Sequence, residues 1–127
     1  MHPLVAIFLG GGLGSVARYQ IGVWLGRWLG VGFPFGTLTV NLVGGFVMGL
    51  FTEWLLARLG GALILRQFFA VGVLGGFTTF SSFTLDVAVL WERGDHGLAA
   101  GYVAVSVIGS IAALFAGLAL GRMLQAS

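Results

Sequence analysis

The sequence predicts an all-α integral membrane protein whose four transmembrane helices form one domain, residues 1–127. Hydrophobic residues make up 58% of the chain and charged residues only 8%, whereas soluble domains carry about 25% charged residues. Four spans of about 20 residues with short connections use almost the whole chain. A third observation supports these spans, because indole rings settle at the membrane interface and all four tryptophans fall near predicted span ends: Trp24, Trp28, Trp54 and Trp91.

The first two spans are predicted at residues 4–25 and 35–56, separated by a turn that contains glycine and proline. Arg18 is the only charged residue of the first span. A charge that faces lipid is costly. We therefore expect Arg18 to face protein or a vestibule, paired with Asp86 of the third span.

The second span carries Asn41 four residues after Thr37, with Thr39 between them on another face. An amide inside a membrane span costs free energy unless it is hydrogen-bonded, so Asn41 is a candidate functional residue. Its NH2 group donates two hydrogen bonds, which suits an anion that is losing water. A hydrogen bond that only holds two helices together is the alternative.

The third span, predicted at residues 66–90, contains a pattern typical of a helix break. Gly75 and Gly76 are followed by the β-branched Thr78 and Thr79, and this run makes a poor continuous helix. A break at bilayer depth leaves backbone carbonyls without helical partners. Two such breaks that face each other can supply carbonyl oxygens to a buried cation. A kink satisfied by neighbouring hydroxyls is the alternative.

Two phenylalanines follow the predicted break. Phe80 and Phe83 are three residues apart and share a helical face, flanked by the hydroxyls of Ser81 and Ser82. Aromatic residues on one face usually pack in a core. The edge of a phenyl ring is electropositive, however, so two rings turned edge-on could also contact a small anion.

The fourth span, predicted at residues 98–120, carries a stripe of hydroxyls at four-residue steps, namely Tyr102, Ser106 and Ser110. Such hydroxyls can donate to an anion along a path. Serine in a membrane helix also often bonds its own backbone.

The arginines give almost no orientation signal. Arg58, Arg66 and Arg122 fall on one side of the predicted membrane, and Arg27 and Arg93 on the other. A short protein with such a balance is able to insert both ways and pair with its own inverted copy. Ordinary single topology with a weak signal is the alternative.

Several function classes do not fit the composition. The basic residues are scattered singly and form no patch that would grip a phosphate backbone, so we expect no nucleic-acid partner. The chain has no cysteine, which excludes disulfides and thiol chemistry. Neither His2 nor His96 lies in a span or near a second catalytic group, so we expect no enzyme.

Three segments resemble the signature segments of the Fluc (CrcB-type) fluoride channel family. They are Gly14 with Arg18-Tyr19, the run GTLTVNL at residues 36–42, and the run GGFTTFSSF at residues 75–83. Their order and spacing fit across essentially the whole chain. The resemblance implies an antiparallel, dual-topology homodimer in the cell inner (plasma) membrane. Its two pores would let cytoplasmic fluoride leave passively and so reduce fluoride toxicity.

The resemblance also implies roles for individual residues. Phe80 and Phe83 would form an edge-on ring box, and Asn41 would contact fluoride or position those rings. The carbonyls of Gly75 and Thr78 from both subunits would bind a structural sodium ion at the dimer centre. Leu114 departs from the family, which continues the hydroxyl stripe at this position with threonine. The remaining residues implied to line the pore are Thr37, Thr39, Ser81, Ser82, Tyr102, Ser106 and Ser110.

A small multidrug-type proton-coupled cation exporter is the competing interpretation, because such exporters are also short four-span proteins that insert both ways. They need a membrane-embedded carboxylate, and the first span has none. Glu53 lies near the end of the second span, which leaves Asp86 as the candidate. Proton-driven efflux of a cation that fails in Asp86→Asn would support this interpretation. A non-transporting assembly subunit would explain the glycines but not the polar residues.

Overall fold

The computed structural model describes residues 2–58 and 62–126, and its regular structure there is entirely helical. The elements are α1 (Pro3–Leu29), α2 (Phe35–Arg58), α3 (Leu63–Leu65), a π-helical segment (Arg66–Leu74), α4 (Gly75–Phe77), α5 (Phe80–Glu92) and α6 (His96–Ala126). Four stretches are long and apolar enough to cross a membrane: Pro3–Leu29, Phe35–Leu55, Leu63–Glu92 and His96–Gln125. The prediction of four apolar helical spans is confirmed. Met1 and Ser127, the ends of the predicted domain, lie outside the described residues.

The helices extend beyond the predicted spans because their ends carry their own capping groups. Helix α1 begins where the His2 Nδ1 accepts a hydrogen bond from the Leu4 N–H at 3.1 Å, and Pro3 occupies its first turn. It ends at Gly30, whose φ of 85° suits glycine and whose N–H still reaches the Gly26 carbonyl at 3.0 Å. The helix therefore runs one turn past the predicted end at residue 25.

The third apolar stretch is not a regular α-helix. Residues Arg66–Leu74 are wound as a π-helix, which the sequence did not predict. Helical structure ends at Phe77 and starts again at Phe80, and between them Thr78 (φ −85°, ψ 157°) and Thr79 (φ −152°, ψ 122°) are extended. The interruption therefore falls at the two threonines, while Gly75 and Gly76 are themselves helical.

Glycines allow the helices to pack backbone against backbone. Helix α1 packs on the π-helical segment and α4, and a Cβ on Gly14 would overlap the Val73 carbonyl oxygen. Helix α2 packs along α6, where a Cβ on Gly49 would overlap the Leu114 carbonyl oxygen and one on Gly117 the Phe46 carbonyl oxygen. Because lipid offers no hydrophobic drive for association, this close approach provides van der Waals contact that holds the protomer together.

Hydrogen bonds and ion pairs of two arginines connect helix ends at each end of the bundle. Arg93 Nη2 donates to the Gly32 carbonyl at 2.7 Å, and Arg93 Nε pairs with Asp95 Oδ2 at 2.6 Å, so the first and third connections meet. Arg122 Nε pairs with Glu53 Oε1 at 2.9 Å, which joins the ends of α2 and α6. In a chain that crosses the membrane four times, the first and third connections lie on one side and the ends of α2 and α6 on the other, which agrees with these contacts.

We expect Gly49→Ala to lower the free energy of unfolding by about 1–3 kcal/mol, because the added methyl group would push α2 away from α6. Gly101→Ala on α6 is the matched control, since its Cβ would meet no atom within 4 Å. Thermal unfolding of both purified variants in detergent measures the difference. Equal melting temperatures would show that this contact does not limit packing.

Candidate functional site

The side chain of Asn41 is bound to the interruption of the third span. Its Nδ2 donates to the Thr79 carbonyl at 3.0 Å, and its Oδ1 accepts from the Thr79 N–H at 2.8 Å. Asn41 of α2 therefore satisfies both the N–H and the carbonyl of Thr79, which have no helical partners because Thr79 is extended. One N–H of the Asn41 amide remains for another acceptor.

This pairing frees specific carbonyls of the third span. In a continuous α-helix the Gly75 carbonyl would accept from the Thr79 N–H, but that N–H donates to Asn41. The Thr78 carbonyl would accept from the Ser82 N–H, which donates instead to Thr79 Oγ1 at 3.1 Å. Both residues that the family resemblance implies as cation ligands therefore have their helical donors diverted.

The interruption also creates two helix ends of opposite polarity. Helix α4 ends with carbonyl oxygens whose helical donors are lost at the interruption, and such oxygens favour positive charge. Helix α5 begins at Phe80 with Thr79 as its N-cap, and its first N–H groups favour an anion. One short stretch therefore offers opposite electrostatic environments on its two sides.

Arg18 and Asp86 are not paired with each other, so the expected ion pair is wrong. Arg18 Nε donates to the Gly76 carbonyl at 3.1 Å, where it satisfies another carbonyl at the end of α4. Asp86 Oδ2 accepts from the Tyr102 hydroxyl at 3.0 Å. The two charges take different partners because one lies beside the interruption and the other lies further along α5.

Phe80, Phe83 and Tyr102 form a row of rings. The Phe80 and Phe83 centroids are 5.5 Å apart at 47°, and those of Phe83 and Tyr102 are 5.2 Å apart at 49°. Phe83 is 7% exposed, whereas Phe80 is 75% exposed in the single protomer. The row therefore has a buried end and an open end.

The open end of the ring row faces a groove of about 360 Å³ between α2, the interruption and α6. Asn41, Thr79 and Phe80 line it together with Ser110. Leu114, which stands where the family continues the hydroxyl stripe, lines the same groove and makes its own part of the groove apolar. The groove thus gathers an amide, a ring and a hydroxyl, none of which carries a formal charge.

The hydroxyl stripe of α6 runs from this groove into the protomer. Ser106 is buried, and its Oγ has no hydrogen-bond partner among the described residues. Tyr102 is fully buried, and its hydroxyl donates to Asp86. A buried hydroxyl without a protein partner is costly unless water or another ligand binds it, so Ser106 is the strongest indication of a polar path in the stripe.

The other predicted hydroxyls lie around this centre. Thr37 lines two cavities of about 260 and 290 Å³, the second of which also contains Arg18 and Thr79. Thr39 is half-buried on α2. Ser81 is exposed, with its Oγ 3.3 Å from Thr79 Oγ1, and Ser82 donates its N–H to that same oxygen.

Sequence reasoning missed Thr79, which is the residue that organises the site. Its backbone bonds Asn41, and its side chain caps α5. The signal was present as a threonine three residues before Ser82, because threonine is a common N-cap. The partner of Arg18 had no sequence signal, since the acceptor is a backbone carbonyl 58 residues away.

A metal bound by side chains has no support in this site. Within residues 2–58 and 62–126, no group of three or more His, Cys, Asp or Glu side chains could hold a metal ion. Any cation at the interruption would therefore be bound by backbone carbonyls, which are the ligands of hard cations.

We expect Arg18→Ala to destabilise the protein by about 1–3 kcal/mol, because the part-buried Gly76 carbonyl loses its hydrogen-bond partner. Arg27→Ala, at an exposed position near the end of α1, is the matched control. Thermal unfolding and transport are measured on both variants. Normal assembly and transport in Arg18→Ala would contradict this role.

Four apolar spans, an interrupted third span and a cluster of uncharged polar groups define a multi-pass integral membrane protein. The chain belongs to the CrcB family, since the sequence model of the family described as "CrcB-like protein, Camphor Resistance (CrcB)" matches residues 5–118. The predicted resemblance is confirmed.

Named relatives agree with this assignment. A protein of Agrobacterium fabrum is 54% identical over 124 residues, covering 98% of this chain and 99% of its own. A protein of Rhodospirillum centenum is 57% identical, covering 96% and 97%. A third, from Caulobacter vibrioides, is 50% identical over 123 residues. Each is named fluoride-specific ion channel FluC.

Proposed function

We propose that this protein is a fluoride-selective channel through which cytoplasmic fluoride leaves the cell passively. The observation that carries the proposal is the groove where the Asn41 amide, the Phe80 ring and the Ser110 hydroxyl meet. These groups are weak, neutral donors, which can replace the water of a small anion without holding it too tightly to leave. The names of the relatives supply the identity of the anion.

The path we propose for fluoride runs along the row of rings and the hydroxyl stripe. The free N–H of Asn41 and the edges of Phe80 and Phe83 would contact the ion as it loses water. Ser110 and the unpartnered Ser106 hydroxyl would donate to it further on. Thr37, Thr39, Ser81 and Ser82 would line the approaches. Chloride is larger, so it fits this narrow path poorly.

We further propose that the working unit is an antiparallel homodimer with two pores. Support comes from Phe80, which is 75% exposed in one protomer although a pore must enclose it. Only a second copy would cover the groove in front of that ring. The balance of arginines on the two sides supports dual topology, and the interruption would then lie near mid-membrane, where inverted copies meet.

We also propose that these carbonyls bind a sodium ion at the centre of that dimer. Gly75 and Thr78 would each contribute one oxygen from each protomer, and the carbonyl ends of the two α4 helices would face the ion. The ion would supply the positive charge that holds the two carbonyl ends together.

In the cell, the channel would act in the inner (plasma) membrane. Fluoride enters as hydrogen fluoride from acidic surroundings, ionises in the more neutral cytoplasm and accumulates there. An open selective path lets it leave down its own gradient without an energy source. Fluoride resistance is the consequence.

A growth experiment tests the proposed function. We expect expression of this chain to restore growth at low pH in fluoride to a bacterium that lacks its own fluoride exporters. Phe83→Ile, expressed to the same level in the membrane, serves as the inactive control. Failure of the wild-type chain to restore growth, with its membrane insertion verified, would contradict the proposal.

A further inference from the structure

We infer that Asn41 holds the cation site open, so that one side chain of the fluoride path also determines whether sodium binds. The inference rests on the proposed function, because it takes sodium as the ligand of the freed carbonyls. It assigns Asn41 a positioning role toward the cation, which Asn41 does not touch in this arrangement.

The first step is a competition for one hydrogen. The Thr79 N–H is the α-helical donor of the Gly75 carbonyl, and Asn41 Oδ1 takes it at 2.8 Å. Asn41 Nδ2 holds the Thr79 carbonyl at 3.0 Å and thereby keeps Thr79 extended. Without an acceptor at residue 41, the Thr79 N–H has no other strong partner beside it than the Gly75 carbonyl. The helix of the third span would then continue through Thr79, and the Gly75 carbonyl oxygen would accept the Thr79 N–H instead of being available to a cation.

The second step concerns the other carbonyl. Thr79 Oγ1 accepts the Ser82 N–H at 3.1 Å, which removes the helical donor of the Thr78 carbonyl. The Thr79 side chain therefore diverts the donor of the Thr78 carbonyl, and the Asn41 side chain diverts the donor of the Gly75 carbonyl, which is the Thr79 N–H. Each of the two predicted ligand oxygens is kept free by a different side chain, so each has its own matched test.

The chemistry of these oxygens selects a monovalent cation. Both ligands are neutral carbonyls, and the described chain places no group of three or more acidic, histidine or cysteine side chains that could hold a metal. Arg18, which binds the adjacent Gly76 carbonyl, adds a positive charge nearby. A divalent ion would meet this charge without carboxylates to offset it, which favours a monovalent cation such as sodium.

The test is the stabilisation of purified full-length protein by sodium, measured as the rise in melting temperature when N-methylglucamine is replaced by Na⁺. Asn41→Leu removes the acceptor, so we expect its half-effective Na⁺ concentration to rise about tenfold or more. Asn41→Asp keeps an oxygen for the Thr79 N–H but loses the donor to the Thr79 carbonyl, so its sodium response should be stronger than that of Asn41→Leu although its fluoride flux is lost. A wild-type response in Asn41→Leu would overturn the inference.

A second pair of variants tests the role of Thr79 whether or not Asn41→Leu folds, and the comparison of Asn41→Asp with wild type then tests Asn41. Thr79→Val removes the hydroxyl that holds the Ser82 N–H and should weaken the sodium response, whereas Thr79→Ser should keep it. Thr52→Val is the control on α2, because its hydroxyl bonds the Met48 carbonyl of its own helix. Equal responses in Thr79→Val and Thr79→Ser would overturn the second step.

Failure of this inference is distinguishable from failure of the proposed function. If the wild-type protein conducts fluoride but shows no sodium stabilisation, the cation site and this inference are wrong and the channel stands. If the wild-type protein is sealed to fluoride, the proposed function itself is wrong, whatever sodium does.

Discussion

Asn41→Asp is expected to reduce fluoride flux about a thousandfold, since a like charge about 4 Å from the ion costs about 4 kcal/mol at the effective dielectric of a partly buried site. The variant loses both N–H groups of Asn41, one of which is free for the ion and one of which holds the Thr79 carbonyl. Flux is measured as fluoride release from liposomes with an ion-selective electrode.

Thr52→Val is the control for the Asn41 variant, because it changes a polar residue of the same helix away from the groove. Its flux should equal that of the wild-type protein. Gel filtration of both variants shows whether they assemble. Normal flux through correctly assembled Asn41→Asp would remove Asn41 from the fluoride path.

Phe83→Ile is expected to reduce flux about a hundredfold, comparable to the loss of one oriented donor in a water-excluded site. Isoleucine fills most of the space but has no electropositive edge, so an ion without water gains nothing there. Phe83 is buried between Phe80 and Tyr102, so the variant also tests the buried end of the row. Phe80→Ile should have a similar effect at the open end.

Phe115→Ile is the matched control for the ring variants, because this ring is 64% exposed on α6 and does not line the groove. Its flux should be unchanged. If Phe80→Ile and Phe83→Ile conduct as well as Phe115→Ile, the rings only pack the protein, which was the plain alternative for two aromatics on one helical face.

Hydropathy and composition predicted the four spans because bilayer thickness fixes their length and apolar character. The interruption was predicted in the run from Gly75 to Thr79, where glycine and β-branched threonine lower helix propensity. Within that run it occurs at Thr78 and Thr79, because Asn41 and the Thr79 hydroxyl supply hydrogen bonds that compete with the helix. Helix propensity therefore predicts the region where the helix is unstable, and contacts with Asn41 and the Thr79 hydroxyl determine at which residues it is interrupted.

The rest of the site depends on contacts between distant parts of the chain. The acceptor for Arg18 is a backbone oxygen, which no residue type reveals, and the plausible Asp86 pairing was wrong for that reason. The π-helical winding of Arg66–Leu74 has no known residue signature here. Resemblance to the family, and not spacing, identified the pore residues.

The fluoride path itself is tested most directly by wild-type protein in sealed liposomes loaded in parallel with fluoride or with chloride. A potassium gradient with valinomycin provides the counter-charge, and no proton gradient is imposed. The account predicts rapid release of fluoride and retention of chloride. Vesicles that keep their fluoride although intact protein is present, or that release both halides equally, would contradict it.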